Sequence, residues 1–248
     1  MFIDTHCHLS IEDYDDIDKV VKEDIEAGVK KLIVSACTKN TFEEALALAK
    51  KYDSIYVTLG FHPSEVDTTD ADLELLEELL KTDKVVGVGE IGLDYHYGKD
   101  DIDIQKALFE KQLIMAENLN LPVVIHSRDA VNDTIETLKK HNVKGVIHCF
   151  SGSVETADIY IRLGYKLGIG GVVTFKNSNL YKVVEHVGLD NIVLETDSPY
   201  LAPEPFRGKQ NSSKYIPVIA TKIADILNVS LSEVEDKTTM TASNLFDL

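Results

Sequence analysis

The stretch FIDTHCHLS, residues 2–10, decides the fold. It opens as a short apolar run and stops in a Thr-His-Cys-His cluster. Seven further apolar, β-branched runs follow it: KLIVSA at 31–36, IYVTLG at 55–60, VVGVGE at 85–90, PVVIH at 122–126, GVIHC at 145–149, YKLGIGG at 165–171 and NIVLET at 191–196. The segments between them carry helical periodicity. Ile17, Val21 and Ile25 recur every four residues among charged side chains, and Leu108, Gln112, Met115 and Leu119 form one stripe. Strands alternating with helices imply parallel pairing through βαβ units. Eight such units in a chain of 248 residues match a (β/α)8 TIM barrel, an α/β fold. The rival is a doubly wound open sheet, which would place a Gly-rich phosphate turn after the first strand. Residues 5–8 stand in its place, no GxGxxG follows that strand, and the GIGG at 168–171 lacks that spacing. The expectation is a single barrel domain over 1–248.

Composition narrows the function. The formal charge of −17, from 42 acidic and 25 basic residues, excludes a protein that coats duplex nucleic acid through many phosphate contacts. It leaves room for a local cationic cleft. No apolar run is long enough to cross a membrane, and no charged-then-apolar leader opens the chain. Cys7, Cys37 and Cys149 are odd in number and form no CxxC pair, which points to a reducing compartment and hence the cytoplasm. The connection at 198–217 holds four of the six prolines. A loop of that length after the eighth strand belongs to the C-terminal face of a barrel, where active sites are built.

Residue types at the strand ends carry the chemistry. Alternation puts His6 and His8 on one face of the first strand and Cys7 on the other. The fourth run ends in Glu90, the fifth in His126, the sixth reaches His148, and Asp197 follows the eighth. Four histidines and two carboxylates gathered at one barrel mouth are costly without a cation. Six donors exceed the three protein ligands typical of a single catalytic zinc. Two divalent ions fit better, with His6, His8 and Asp197 on one, His126 and His148 on the other, and Glu90 between them. Mixed imidazole and carboxylate ligation suits Zn, Mn, Fe or Co, and Mg less naturally. Cys7 and Cys149 read as small core residues facing the helix layer.

The motifs DTHCHL, GFHP, VGEIGLDY, LPVVIHSRDA, VIHCFSG and ETDSPYLAP with RGKQN resemble, in this order, the TatD family of metal-dependent deoxyribonucleases, within the amidohydrolase superfamily. The resemblance runs from Asp4 to the TASNLF at 241–246. It implies a (β/α)8 barrel, metal ligands at His6, His8, Glu90, His126, His148 and Asp197, and hydrolysis of a nucleic-acid or nucleotide phosphodiester. Glu90 stands where many amidohydrolases use a carbamylated lysine as the bridge. Three positions depart from the family pattern: Ser64 replaces a histidine after GxHP, His96 follows Tyr95, and Ser213 takes a proline position. All three lie in loops of the active face and bear on substrate preference.

Under this resemblance Glu90 and Asp197 are the catalytic carboxylates, Asp197 also taking a proton from the attacking water. A helix-capping turn is the plain alternative for Asp197. Glu195 has two open readings, a partner that orients a ligand histidine or a buried carboxylate held by a lysine or arginine. His62, Arg128 and Arg207 are candidate phosphate contacts, with Lys209 weaker. Their plain alternatives are a turn histidine before Pro63, an ion pair of Arg128 with Asp129 or Asp94, and solvent for Arg207. The leading expectation is a deoxyribonuclease attacking single-stranded ends, as a monomer or weak oligomer. The alternatives are a lactonase, amidohydrolase or aminoacyl-tRNA deacylase on the same ions, and a non-catalytic barrel.

Overall fold

The computed structural model describes residues 1–96, 98 and 100–248. Eight parallel strands pair in chain order: β1 (Phe2–Cys7), β2 (Val29–Ala36), β3 (Ile55–Leu59), β4 (Val85–Asp94), β5 (Val123–Arg128), β6 (Gly145–Ile147), β7 (Tyr165–Ile169) and β8 (Ile192–Leu194). Helices alternate with them, from α1 (Ile17–Glu26) through α2 (Lys39–Lys51), α3 (Asp70–Leu79), α4 (Ile102–Leu119), α5 (Val131–Leu138), α6 (Val154–Arg162) and α7 (Leu180–Val187) to α8 (Ile216–Leu227) and α9 (Leu231–Phe246). The sheet curls into a nearly closed barrel. Its seam between β8 and β1 is held by a bridge of Cys7 to Ser198, by Thr5 Oγ1–H donating to the Leu194 carbonyl at 3.0 Å, and by Asp197 N–H donating to the His6 carbonyl at 3.0 Å.

Local sequence sets the helix ends. Asp16, Thr69, Ser153 and Ser230 cap α1, α3, α6 and α9 by accepting from the third residue on. Asn120 and Asn228, both left-handed, end α4 and α8. No helix among the described residues is long and apolar enough to cross a membrane.

The core has two layers. The larger lies between strands and helices. The smaller is the barrel interior, built from Ile3, Ile33, Val86, Val124, Val146 and Val193 of six strands and closed at one end by Ala242 and Phe246 of α9. Strict alternation would put Ile3 and His6 on opposite faces. The pairing register of β1 slips between Asp4 and Cys7, and this irregularity brings both inward.

The strand ends differ from expectation in two directions. β4 continues four residues past Glu90 to Asp94, and β5 continues to Arg128. Gly92 permits this, because it sits at φ +145° and a Cβ there would stand 2.0 Å from the His126 carbonyl oxygen. In contrast, β6 stops at Ile147 and β8 at Leu194, so His148 and Asp197 leave from the loops just beyond.

Candidate metal centre

The barrel mouth brings the six predicted donors together. Glu90, almost fully buried, divides its two oxygens. Oε2 faces His6 Nε2 at 3.5 Å and His8 Nε2 at 3.9 Å. Oε1 faces His126 Nδ1 at 2.6 Å and His148 Nε2 at 3.8 Å. Asp197 Oδ1 lies 3.6 Å from His6 Nε2, 3.4 Å from His8 Nε2 and 3.7 Å from His148 Nε2. The rings of His6 and His148 stack at 3.7 Å, so His148 serves both halves of the cluster. Asp197 itself holds a left-handed φ of 54°, which turns its carboxylate back over the mouth.

Neighbours fix these rings. His8 Nδ1 is 3.1 Å from the Ser35 carbonyl, an acceptor only, so Nδ1 carries the proton and Nε2 turns a lone pair to the centre. Glu195, fully buried, places Oε1 3.1 Å from His148 Nδ1 and accepts from Cys149 N–H at 2.5 Å. Of its two open readings, the structure favours the one that orients a histidine.

Electrostatics follow from the crowding. Burial and the neighbouring His148 hold His6 well below the ordinary histidine range. Burial also opposes the charge on His148, yet Glu195, Glu90 and Asp197 together push it up to about 10. His126 rises to about 9 against burial through Asp94 and Glu90. For Glu90 burial favours the neutral acid, but His148, His126 and His6 hold it well below the carboxylate range.

A divalent cation fits this donor set. The Nε2 atoms of His6 and His8 are only 3.3 Å apart while facing the same carboxylate oxygens. His6 Nδ1 and Glu195 Oε2 are buried with no hydrogen-bond partner among the described residues. Groupings of donors able to hold an ion include His6–His8–Glu90, His6–His148–Asp197 and His62–Asp94–His126.

The last grouping contains a residue that the sequence reading missed. Asp94 Oδ2 sits 3.2 Å from His126 Nε2. It shares the face of Glu90 four residues on, a period-of-two signal hidden by ending the strand too early. Cys37, at the end of β2, was also passed over, and its Sγ lies 3.6 Å from Glu90 Oε2.

Cys149 requires a correction. Its φ of 46° breaks the alternation, so the thiol does not join the helix-side core and groups with His148 and Glu195 instead. Cys7 does face the helix layer, buried and donating to the Ile33 carbonyl.

The centre opens into a cleft of about 700 Å³. His62 and Arg128 line it. His62 Nδ1 accepts Ser64 N–H at 3.1 Å, leaving the Nε2 proton to face the cleft. Burial keeps that imidazole neutral, lowered to about 4. Arg207 is not among the cleft walls; its guanidinium lies over the Phe175 ring at 4.4 Å. Lys209 rests near the Phe206 ring, also outside the walls. His96 pairs with Asp129 at 3.2 Å.

Comparisons with known proteins agree with this geometry. Residues 3–247 match a family model described as TatD related DNase. The uncharacterized metal-dependent hydrolase YabD of Bacillus subtilis is 40% identical, with 99% of each chain covered. The uncharacterized metal-dependent hydrolase YcfH of Escherichia coli is 34% identical over 99% of this chain and 96% of its own. The crystal structure of YJJV, a TatD homolog from Escherichia coli, superposes with a TM-score of 0.92 at 33% identity, covering 100% of this chain and 98% of that one.

Proposed function

The chain belongs to the TatD-related DNase family of metal-dependent hydrolases, and from that premise we propose that it hydrolyses phosphodiester bonds at single-stranded DNA ends with two divalent ions. One observation carries the reading. Glu90 turns Oε2 toward His6 and His8 and Oε1 toward His126 and His148, the posture of a carboxylate between two cations. His6, His8, Asp197, His126, His148 and Glu90 would hold the pair, drawn from Zn, Mn, Mg, Co or Fe. Bound there, such ions supply Lewis acidity toward a phosphoryl group and hydroxide at neutral pH.

The chain's own groups do the rest. Asp197, whose Oδ1 faces three imidazoles at the mouth, accepts the proton of the attacking water. Arg128 offers a planar fork to a non-bridging phosphate oxygen. His62, which also lines the cleft, adds a neutral Nε2–H donor. A concave cleft of about 700 Å³ takes a frayed strand and shuts out an intact duplex. In the same reading the protein works in the cytoplasm as a monomer or weak oligomer.

A second reading rests on Arg207. With that residue outside the cleft, Arg128 is the only Lys or Arg among the described lining residues. A site with so few cations also suits a lactone, an amide or an aminoacyl ester. A non-catalytic barrel fits less well, because structural metal sites are closed and this one is open. Metal-loaded protein assayed against a labelled single strand, a duplex, a lactone, an aryl ester and an aminoacyl-tRNA decides between them. Preferential release of nucleotides from the single strand supports the nuclease, and turnover restricted to the esters replaces it.

A further inference from the structure

The cleft extends past the metal donors toward the loops after β1 and β2, where Leu9, Thr38, Thr41 and Ala45 line it. Tyr200 stands at its edge. The Tyr200 ring lies 6.2 Å from the His8 ring at 66°, and the residue is 59% exposed, a large aromatic left uncovered beside the reacting centre. Its backbone is held firmly. Tyr200 N–H donates to the Asp197 carbonyl at 2.9 Å, and the fully buried Asn211 donates through Nδ2 to the Tyr200 carbonyl at 2.6 Å and the Thr196 carbonyl at 2.8 Å. Behind it the loop packs closely on residue 171, where a Cβ would stand 2.3 Å from the Leu201 carbonyl. Folding thus fixes the segment and leaves the ring free, an arrangement that self-packing does not explain.

Among the residues that line this part of the cleft the charge is one-signed, with Arg207 and Lys209 of the same loop lying outside the lining. Glu12, Asp13 and Glu44 line the same end of the cleft, and Arg128 lies at the other. A second phosphate could not enter among three carboxylates without a cation to meet it. A base and its sugar carry no charge and could.

We propose that this arm of the cleft is a subsite for the terminal nucleoside, in which the base stacks on Tyr200 while the carboxylates of Glu12, Asp13 and Glu44 bar any phosphate beyond it. The proposal rests on the nuclease reading and adds how the enzyme recognises an end. A strand whose last residue is a neutral nucleoside fits, and one that continues, or ends in phosphate, is repelled. Stacking tolerates every base, so the subsite reads the terminus and not the sequence.

The test separates binding from turnover. Oligonucleotides carrying fluorescent 2-aminopurine at one end are titrated onto wild-type and Tyr200→Ala protein, and the same strands are then assayed for cleavage with metal present. The expected result is strong quenching by the wild type, and affinity reduced roughly 5- to 150-fold in Tyr200→Ala, the range for loss of one stacked base. Tyr200→Phe keeps the ring and should recover the affinity. A terminal phosphate on the degraded end should weaken binding, and Glu12→Gln with Glu44→Gln should relieve that penalty. The ring is exposed, so these variants test recognition and not folding. Quenching unchanged in Tyr200→Ala, or a terminal phosphate bound as well as a hydroxyl, overturns the subsite. Quenching that follows these expectations without cleavage of any strand keeps the subsite and overturns the nuclease reading.

Discussion

Glu195 Oε1 lies 3.1 Å from His148 Nδ1, and the carboxylate has room only because residue 168 is glycine. A Cβ at Gly168 would stand 2.1 Å from Glu195 Oε2. Partners that orient a metal-ligating histidine are typically worth 10- to 100-fold in metal affinity. Glu195→Gln should therefore lower metal affinity about that far while leaving the fold intact. Gly168→Ala should do the same by displacing the carboxylate, with an added loss of stability. Chelator competition measures the first effect and thermal melting the second. Unchanged affinity in both variants would make Glu195 a structural carboxylate only.

The split posture of Glu90 predicts that both ions depend on it. Protein purified without chelator should approach two equivalents of divalent metal by elemental analysis, and Glu90→Ala should lose metal from both positions. Two equivalents retained in that variant would remove Glu90 from the bridge.

Asp197 and Arg128 separate chemistry from binding. Asp197→Asn keeps the size of the side chain but removes most of its basicity, so kcat should fall ~10²–10⁴-fold. Arg128→Ala should mainly raise KM, because its contact is made before and during reaction. Arg207→Ala should change KM far less, since its guanidinium lies over Phe175 and not in the cleft. An equal effect of the two arginines would show that the loop carrying Arg207 swings inward with substrate.

Away from the centre, Asp24 predicts a pH dependence of stability. Its Oδ1 accepts Ser212 Oγ–H at 2.8 Å and Lys214 N–H at 2.7 Å, while the buried Oδ2 has no hydrogen-bond partner among the described residues. Burial raises its pKa to about 6, against the bonds from Ser212 and Lys214 that lower it. The folded chain then keeps a proton that the unfolded chain releases near pH 4, so between about pH 4 and 6 folding binds protons and this group's contribution falls as pH rises. The loss over that window is at most about 3 kcal/mol, two pK units at 1.36 each. Asp24→Asn should flatten the slope, so its melting temperature should gain on wild type from pH 4 to 6.5. Parallel curves would show that Asp24 is ionised throughout.

Most of the fold and the ligand set was legible because both rest on short-range signals. Apolar runs of strand length alternate with a helical period, and several of the runs lead directly into a His, Glu or Asp, so the candidate donors of the centre announce themselves by position. What escaped depends on departures from ideal geometry. Asp94 was hidden because β4 outruns its apolar stretch, and Gly92 signals that only once its approach to His126 is known. Cys149 was misplaced because a left-handed φ of 46° defeats alternation. Arg207 is a candidate phosphate contact for its planar fork of donors, and nothing in the sequence says that its guanidinium lies over Phe175, more than thirty residues earlier. Tyr200 carries no signal beyond its presence in a proline-rich loop, because exposure is a property of the assembled barrel.

Salt dependence tests how an acidic chain engages a polyanion. A formal charge of −17 repels nucleic acid at a distance, so binding depends on the few cations within the cleft. Each phosphate neutralised on a single strand contributes a slope of roughly −0.7 to log K against log salt. Arg128, Arg207 and Lys209 together would give a slope near −2, whereas Arg128 alone gives about −0.7. With Arg207 and Lys209 drawn onto Phe175 and Phe206, the shallow value is expected. Measuring kcat/KM on a short single-stranded oligomer across a salt series gives that slope, and Arg128→Ala should bring it close to zero. Closed circular strands, which offer no end to the cleft, should be cut far more slowly than linear ones at every salt concentration. A slope several times steeper would require a cationic track beyond the cleft, and circles cut as fast as linear strands would require a site that reads along a chain instead of at its end.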